Sequence, residues 1–235
     1  MSDLTHLTIA CTAFVGSHLL LSHPLRMGLI KAMGLGRFMG LYSLVALVTF
    51  GWIIWAWIQL PAHNPGWVPG DAVWAVATGL MLLASILLAG SFNRNPALPS
   101  PDAATAVHRN PVGVFAITRH PMMWSIALWA IVHLLVWPTP ENHILATAML
   151  VLALVGSAGQ DRKKAALMGD AWRGWCQRTA FFPFAGQLTG RIGWAATWPG
   201  MGALIGGTIL WLAATWAHVP LGGRVAAGIW RWWGG

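Results

Sequence analysis

"TRHPMMWSIALWAIVHLLVW", residues 118–137, is apolar enough to cross a bilayer, yet it opens on Arg119-His120-Pro121 and carries a second histidine, His133, well inside the apolar run. So long an apolar run has the character of a membrane span, and no water reaches an imidazole set in the middle of one. The stretch fixes two expectations at once. The chain is built to span a membrane, and His133 has a partner that takes the place of water.

The remainder of the chain repeats the pattern. Of its 235 residues 57% are hydrophobic and 9% charged, against about a quarter charged in a soluble domain, and the mean hydropathy is +0.61. Apolar runs of spanning length are read at about 4–22, 38–60, 72–91, 122–138, 143–159 and 200–218. The expected fold is all-α: a single membrane domain over residues 1–235, an integral bundle of about six transmembrane helices. Residues 160–184, "QDRKKAALMGDAWRGWCQRTAFFPF", combine a cationic face with Leu167, Trp172 and Trp175, which predicts one interfacial helix over about 161–180, ended by Pro183. Residues 92–121, with Asn93, Asn95, Pro96, Pro99, Pro101, Asn110 and Pro111, predict an irregular crossing loop. Gly36/Gly40 and Gly202/Gly206 have the spacing of close helix contacts.

The net charge of +8 invites a nucleic-acid reading, but the cations are sorted by segment. Twelve of the fourteen Lys and Arg residues fall after the first, third and fifth runs: Arg26, Lys31 and Arg37; Arg94, Arg109 and Arg119; then Arg162, Lys163, Lys164, Arg173, Arg178 and Arg191. The segments 61–71 and 139–142 hold none, and the tail has Arg224 and Arg231. Positive-inside sorting accounts for this distribution, so the partner is the lipid bilayer and not nucleic acid. It predicts a multi-pass membrane protein with cytoplasmic basic loops and both termini facing the periplasm or its equivalent. Asp3 stands where a secretory signal carries basic residues, so the first span is read as retained. Trp57, Trp74, Trp124, Trp137, Trp198, Trp216, Trp232 and Trp233 lie near expected span ends, as belt anchors do.

With carboxylates and basic residues outside the expected spans, histidine is left to carry intramembrane chemistry. His18 lies late in the first run and His133 two thirds along the fourth, while His23 and His120 mark the basic-side ends of the same runs. Neutral imidazole is a common metal ligand, and a haem iron accepts one or two. Ser125, Trp129 and His133 recur four apart on one helix face, setting a flat indole beside the imidazole. At 1.5 Å per residue, His18 lies ~12 Å and His133 ~21 Å from the basic side, a gap of about 9 Å that a tilted iron–nitrogen axis spans. His23 with His120 is the competing pair; Pro24 and Pro121 follow them, as at helix ends. Arg26 and Arg119 stand where they would meet haem propionates or anchor the loops. His6, His63, His108, His143 and His218 fall at run ends or in loops and are read as structural, and Cys11 and Cys176 form neither a disulfide framework nor a zinc site.

"SHLLLSHPLR", "GVFAITRHPMMWSIALWAIVHLL" and "DRKKAALMGDAWRGWCQRTAFFPF", in that order, resemble the NnrU family of bacterial membrane proteins. The resemblance runs from the first span to about Phe184 and implies a role in nitrite and nitric oxide metabolism during denitrification. The family is similar to the 15-cis-zeta-carotene isomerase, a membrane enzyme that uses haem b. That likeness implies haem b iron held by His18 and His133, the two residues through which catalysis would run; Trp129, by its spacing, and His120, as the competing ligand, are the further cofactor-binding candidates. In the isomerase a cysteine three residues before the second histidine is implicated as an alternative iron ligand; here that place is Ala130. Two axial histidines suit electron transfer, whereas loss of one opens a position for a gaseous or apolar ligand such as nitric oxide or an alkene. A weaker resemblance, in Gly113-x-Phe115, Arg119-His120-Pro121 and Pro183-Phe184, is to membrane methyltransferases that hold S-adenosylmethionine; Trp124 replaces the tyrosine usual there, and only Asp161 represents the expected paired glutamates.

Overall fold

A computed structural model of the chain describes residues 2–98, 103–221 and 225–233. Pro99, Pro101 and Arg224 lie outside these. Every regular element among the described residues is helical: α1 (Asp3–Ser22), α2 (Arg26–Met33), α3 (Leu35–Ile58), α4 (Asp71–Ser91), α5 (Ala103–Ala106), α6 (Val114–Ile117), α7 (Pro121–Val136), α8 (Pro140–Met168), α9 (Asp170–Arg178), α10 (Ala185–Leu188), α11 (Met201–Ala217) and α12 (Trp230–Trp233), with a 3-10 turn at Trp194–Thr197. Local chemistry sets the boundaries. The Ser2 side chain caps α1 by accepting from the Thr5 amide, and Pro121 and Pro140 open α7 and α8, where a missing N–H costs nothing. Gly34 and Gly169, at φ +81° and +55°, turn the chain between α2 and α3 and between α8 and α9.

Helices α1, α3, α4 and α8 are long and apolar enough to cross a membrane, as a multi-pass protein requires. The apolar α7 and α11 have 16 and 17 residues, so each reaches only about 25 Å against a hydrocarbon core of ~30 Å. The expected interfacial helix over 161–180 is divided. Its first half is the continuation of α8, 29 residues long, and Gly169 then breaks the axis before α9. Apolar periodicity ended at residue 159, but Ala165 and Met168 still pack inward, so the helix runs on to Met168. Amphipathic α9 buries Trp172 and Trp175 to 1% and 2% exposure, with Arg173 turned outward.

The helices pack in a row in which α3 meets α1, α1 meets α8, α8 meets α7, α7 meets α4, and α4 meets α11. Opposite faces of α8 serve its two neighbours: Ile144, Leu145 and Ala148 join the α1–α3 cluster of Leu7, Ala10, Cys11 and Ile53, while Leu150, Ala153 and Leu154 join the larger core around Phe115, Trp124 and Ala127. The glycine pairs Gly36/Gly40 and Gly202/Gly206 are not the points of closest approach. A Cβ would meet nothing at Gly36, Gly40 or Gly202, and only ordinary contact at Gly206. The close contact falls at Gly207, where a Cβ would stand 2.6 Å from the Cα of Ile86 on α4. Of the tryptophans read as belt anchors, Trp74 and Trp124 are core residues at 6% and 9% exposure.

The basic end of the bundle is closed by a cap that the cations stitch together. The Lys164 ammonium donates to the carbonyls of Pro96 (2.8 Å) and Leu98 (3.4 Å), and Gln160 donates to that of Ala97. Arg178 donates to the carbonyls of Val107 and Arg109, and Arg191 to those of Gln177 and Thr179. An irregular loop leaves carbonyls that no helix satisfies, and charged donors supply the missing partners.

Candidate functional site

A cavity of about 630 Å³ opens between α4, α7, α8 and α11 at the end of the bundle opposite the basic segments. Its wall is aromatic and apolar, with Trp57, Trp74, Met81, Trp129 and Trp137, and its polar groups are few: Thr78, His133, Glu141, Asn142, Thr215 and His218. This is the composition of a small-molecule or cofactor site, in a volume within the usual range of about 300–1,000 Å³.

His133 sits one turn before the end of α7 and faces this space. Its Nδ1 donates to the Trp129 carbonyl at 2.8 Å, one turn back along the helix, so Nε2 keeps the lone pair. The Trp129 ring lies over it, centroids 4.2 Å apart. The backbone beneath is held from α8, because the Asn142 amide donates to the carbonyls of both His133 and Trp137 at 2.7 Å. At the mouth, Nδ1 of His63 stands 3.0 Å from Oε2 of the buried Glu141.

The other expected ligands lie elsewhere. His18 donates from Nδ1 to the Phe14 carbonyl at 2.8 Å and packs between the rings of Phe14 and Tyr42. It belongs to the α1–α3 side of α8 and does not line the cavity, so the structure does not bring it together with His133. His23 and His120 are also kept apart. His23 packs on Gly159 of α8, whereas His120 meets Asp161, two residues further on and so on the other face of that helix. Burial holds the His23 imidazole below its ordinary pKa, helped by the nearby Lys163 and Arg162 charges.

Arg119 and His120 share one carboxylate. Arg119 donates to Asp161 from Nε at 2.9 Å and Nη2 at 2.7 Å, and Nε2 of His120 lies 2.8 Å from the other oxygen. Arg26 lies over the Phe38 ring. Neither arginine lines the cavity. Ala130 is fully buried in the core. Burial pushes the Cys176 thiol up from its ordinary value, so α9 presents no reactive thiolate.

Sequence reasoning missed His218, Glu141, Thr78 and Asn142. The signal for His218 was its place at the end of the last long apolar run, the same bundle end to which α7 carries His133. A cation also stands at this end: Arg231 lies 4.7 Å over the Trp74 ring and 3.4 Å from Asp71.

No curated protein and no solved structure matches the chain. The family model described as NnrU protein matches residues 6–225 of the 235, a stretch that takes in all six spanning or shorter apolar helices apart from the first turn of α1. By that match the chain belongs to the NnrU family.

Proposed function

We propose that this NnrU-family protein is a six-span inner-membrane haem b protein serving nitrite and nitric oxide metabolism, with His133 as an iron ligand and the basic loops in the cytoplasm. The observation that carries the reading is the Nδ1 bond from His133 to the Trp129 carbonyl, made in the wall of an apolar cavity. A metal-ligating histidine characteristically spends its second ring nitrogen on a carbonyl in this way, which fixes the tautomer and aims the free lone pair. His18 and His143 make the same bond, but of the three it is His133 that lines this cavity. Flat indoles of Trp74, Trp129 and Trp137 suit a macrocycle, and Arg231 offers a cation for a propionate. Haem iron would supply redox chemistry and, with an axial position open, binding of nitric oxide.

A second reading has one observation in its favour. The lining of Trp57, Met81, Trp129 and Val132 also suits a polyene, as in a haem-dependent cis–trans isomerase. Ala130, buried where that chemistry would want a cysteine ligand, counts against it. The methyltransferase reading has no such support, since Arg119 and His120 are already engaged by Asp161.

The test is the absorption spectrum of protein purified in detergent from haem-replete cells, wild type beside His133→Ala. The expected result is a Soret band with α and β bands that sharpen on reduction and shift under nitric oxide, all lost or displaced in the variant. A colourless wild-type protein would overturn the proposal.

A further inference from the structure

His218 follows the last turn of α11 and lines the same cavity as His133. The two ring centroids are 6.5 Å apart, with planes inclined by 37°, and Nδ1 of His218 is buried without a hydrogen-bond partner among the described residues. A buried ring nitrogen without a partner marks an interaction still to be made. The spacing says which one. Two imidazoles that bind one metal from opposite sides each place a nitrogen roughly 2 Å from it and ~1 Å from their own centroid, so their centroids fall about 6 Å apart.

Resting on the haem reading of this cavity, we infer that His218 is the second iron ligand, facing His133, and that His18 is not. Helix α4 lies between α7 and α11, and its small Ala77 and Thr78 line the same cavity as the two histidines. The close contact of Gly207 with the Ile86 backbone packs α11 tightly on α4. His18, by contrast, is enclosed by Phe14 and Tyr42 on the far side of α8. The ligand pair therefore comes from the two short helices, α7 and α11, that flank α4.

The full chain, purified in detergent with its haem, tests this through absorption and electron paramagnetic resonance spectra of the wild type, His218→Ala, His218→Met and His18→Ala. The wild type is expected to be six-coordinate and low-spin. Complete conversion to a high-spin spectrum is expected for His218→Ala, with low-spin features restored by added imidazole. His218→Met is expected to stay low-spin with a raised reduction potential, the signature of His/Met ligation. His18→Ala should retain the wild-type spectrum. An unchanged low-spin spectrum in His218→Ala, or a high-spin one in His18→Ala, overturns the assignment while leaving the haem reading intact. If His218→Ala does not fold, an unchanged potential in His218→Met overturns it equally. A wild type without haem ends both readings together.

Discussion

Nε2 of His120 and Oδ1 of Asp161 stand 2.8 Å apart although 41 residues separate them in the chain. With Arg119 gripping the other oxygen, one carboxylate on α8 fixes both residues that precede α7 and so sets where that helix starts. The imidazole is 1% exposed, and the Arg119 and Asp161 side chains 14% and 18%. Removing the carboxylate leaves a guanidinium with no counter-charge in a largely dry site. Asp161→Asn is expected to destabilise the protein by about 2–4 kcal/mol, near the low end for a broken buried pair because some solvent reaches it. Thermal unfolding in detergent measures this. Asp170→Asn is the control, since its pair with Arg173 is at the surface and should leave the melting midpoint where it was.

The contrast between Asp161 and His133 shows what was legible in the chain. Hydropathy and charge sorting read the long apolar helices because each is a local pattern, repeated over twenty residues. His133 was found because an imidazole inside an apolar run is a local anomaly. The pairing of Arg119 and His120 with Asp161 was not legible. All three residues lie beside charged or turn-forming neighbours, and only the packing of α7 on α8 brings them together. His18 was expected as the partner of His133 from its place inside the first apolar run and from the family resemblance, with depth along the membrane as the check, and depth is one coordinate of three. The lateral order of the helices, with α8 between α1 and α7, carries no signature in composition or periodicity.

Helix contact at glycine gives a sharp pair of variants. At Gly207 an added methyl would fall 2.6 Å from the Cα and 2.8 Å from the N of Ile86, and backbone cannot step aside as a side chain does. At the adjacent Gly206 the nearest neighbour is the Ala89 Cβ at 3.8 Å. Gly207→Ala is therefore expected to push α11 from α4, costing about 1–3 kcal/mol, and, on the haem reading, to lower haem occupancy by moving His218. Gly206→Ala should match the wild type in both melting and absorbance. Equal behaviour of the two would mean that α11 does not pack on α4 through this face.

Asn142 ties the floor of the cavity to α8. Its amide donates to the His133 carbonyl, which also accepts from the Trp137 amide, and to the Trp137 carbonyl, which also accepts from the Thr139 amide. Asn142→Ala removes one of two donors from each acceptor, for a loss of roughly 1 kcal/mol per bond. On the haem reading, the His133 imidazole would then hold the iron from a looser turn. Faster loss of haem to an excess of apomyoglobin, at unchanged initial absorbance, is the expected readout; an unchanged transfer rate would show that the turn is held by other contacts.

His23 makes the basic end of α1 sensitive to acid. Its ring packs on Gly159, where a Cβ would leave it no room, and burial together with the Lys163 and Arg162 charges lowers its pKa from the ordinary 6.5. The folded protein thus holds this imidazole neutral at a pH where the unfolded chain has begun to protonate it. Above about pH 7 neither state takes up the proton and the residue adds no pH dependence. As the pH falls through about 6.5 the unfolded state gains the proton first, so stability declines until the folded state titrates too. The melting temperature of the wild type is expected to drop between about pH 7.5 and pH 5 by more than that of His23→Gln, which has no such proton to bind. Parallel slopes for the two proteins would assign the acid sensitivity to other groups, and the contact of His23 with α8 would then be one of shape alone.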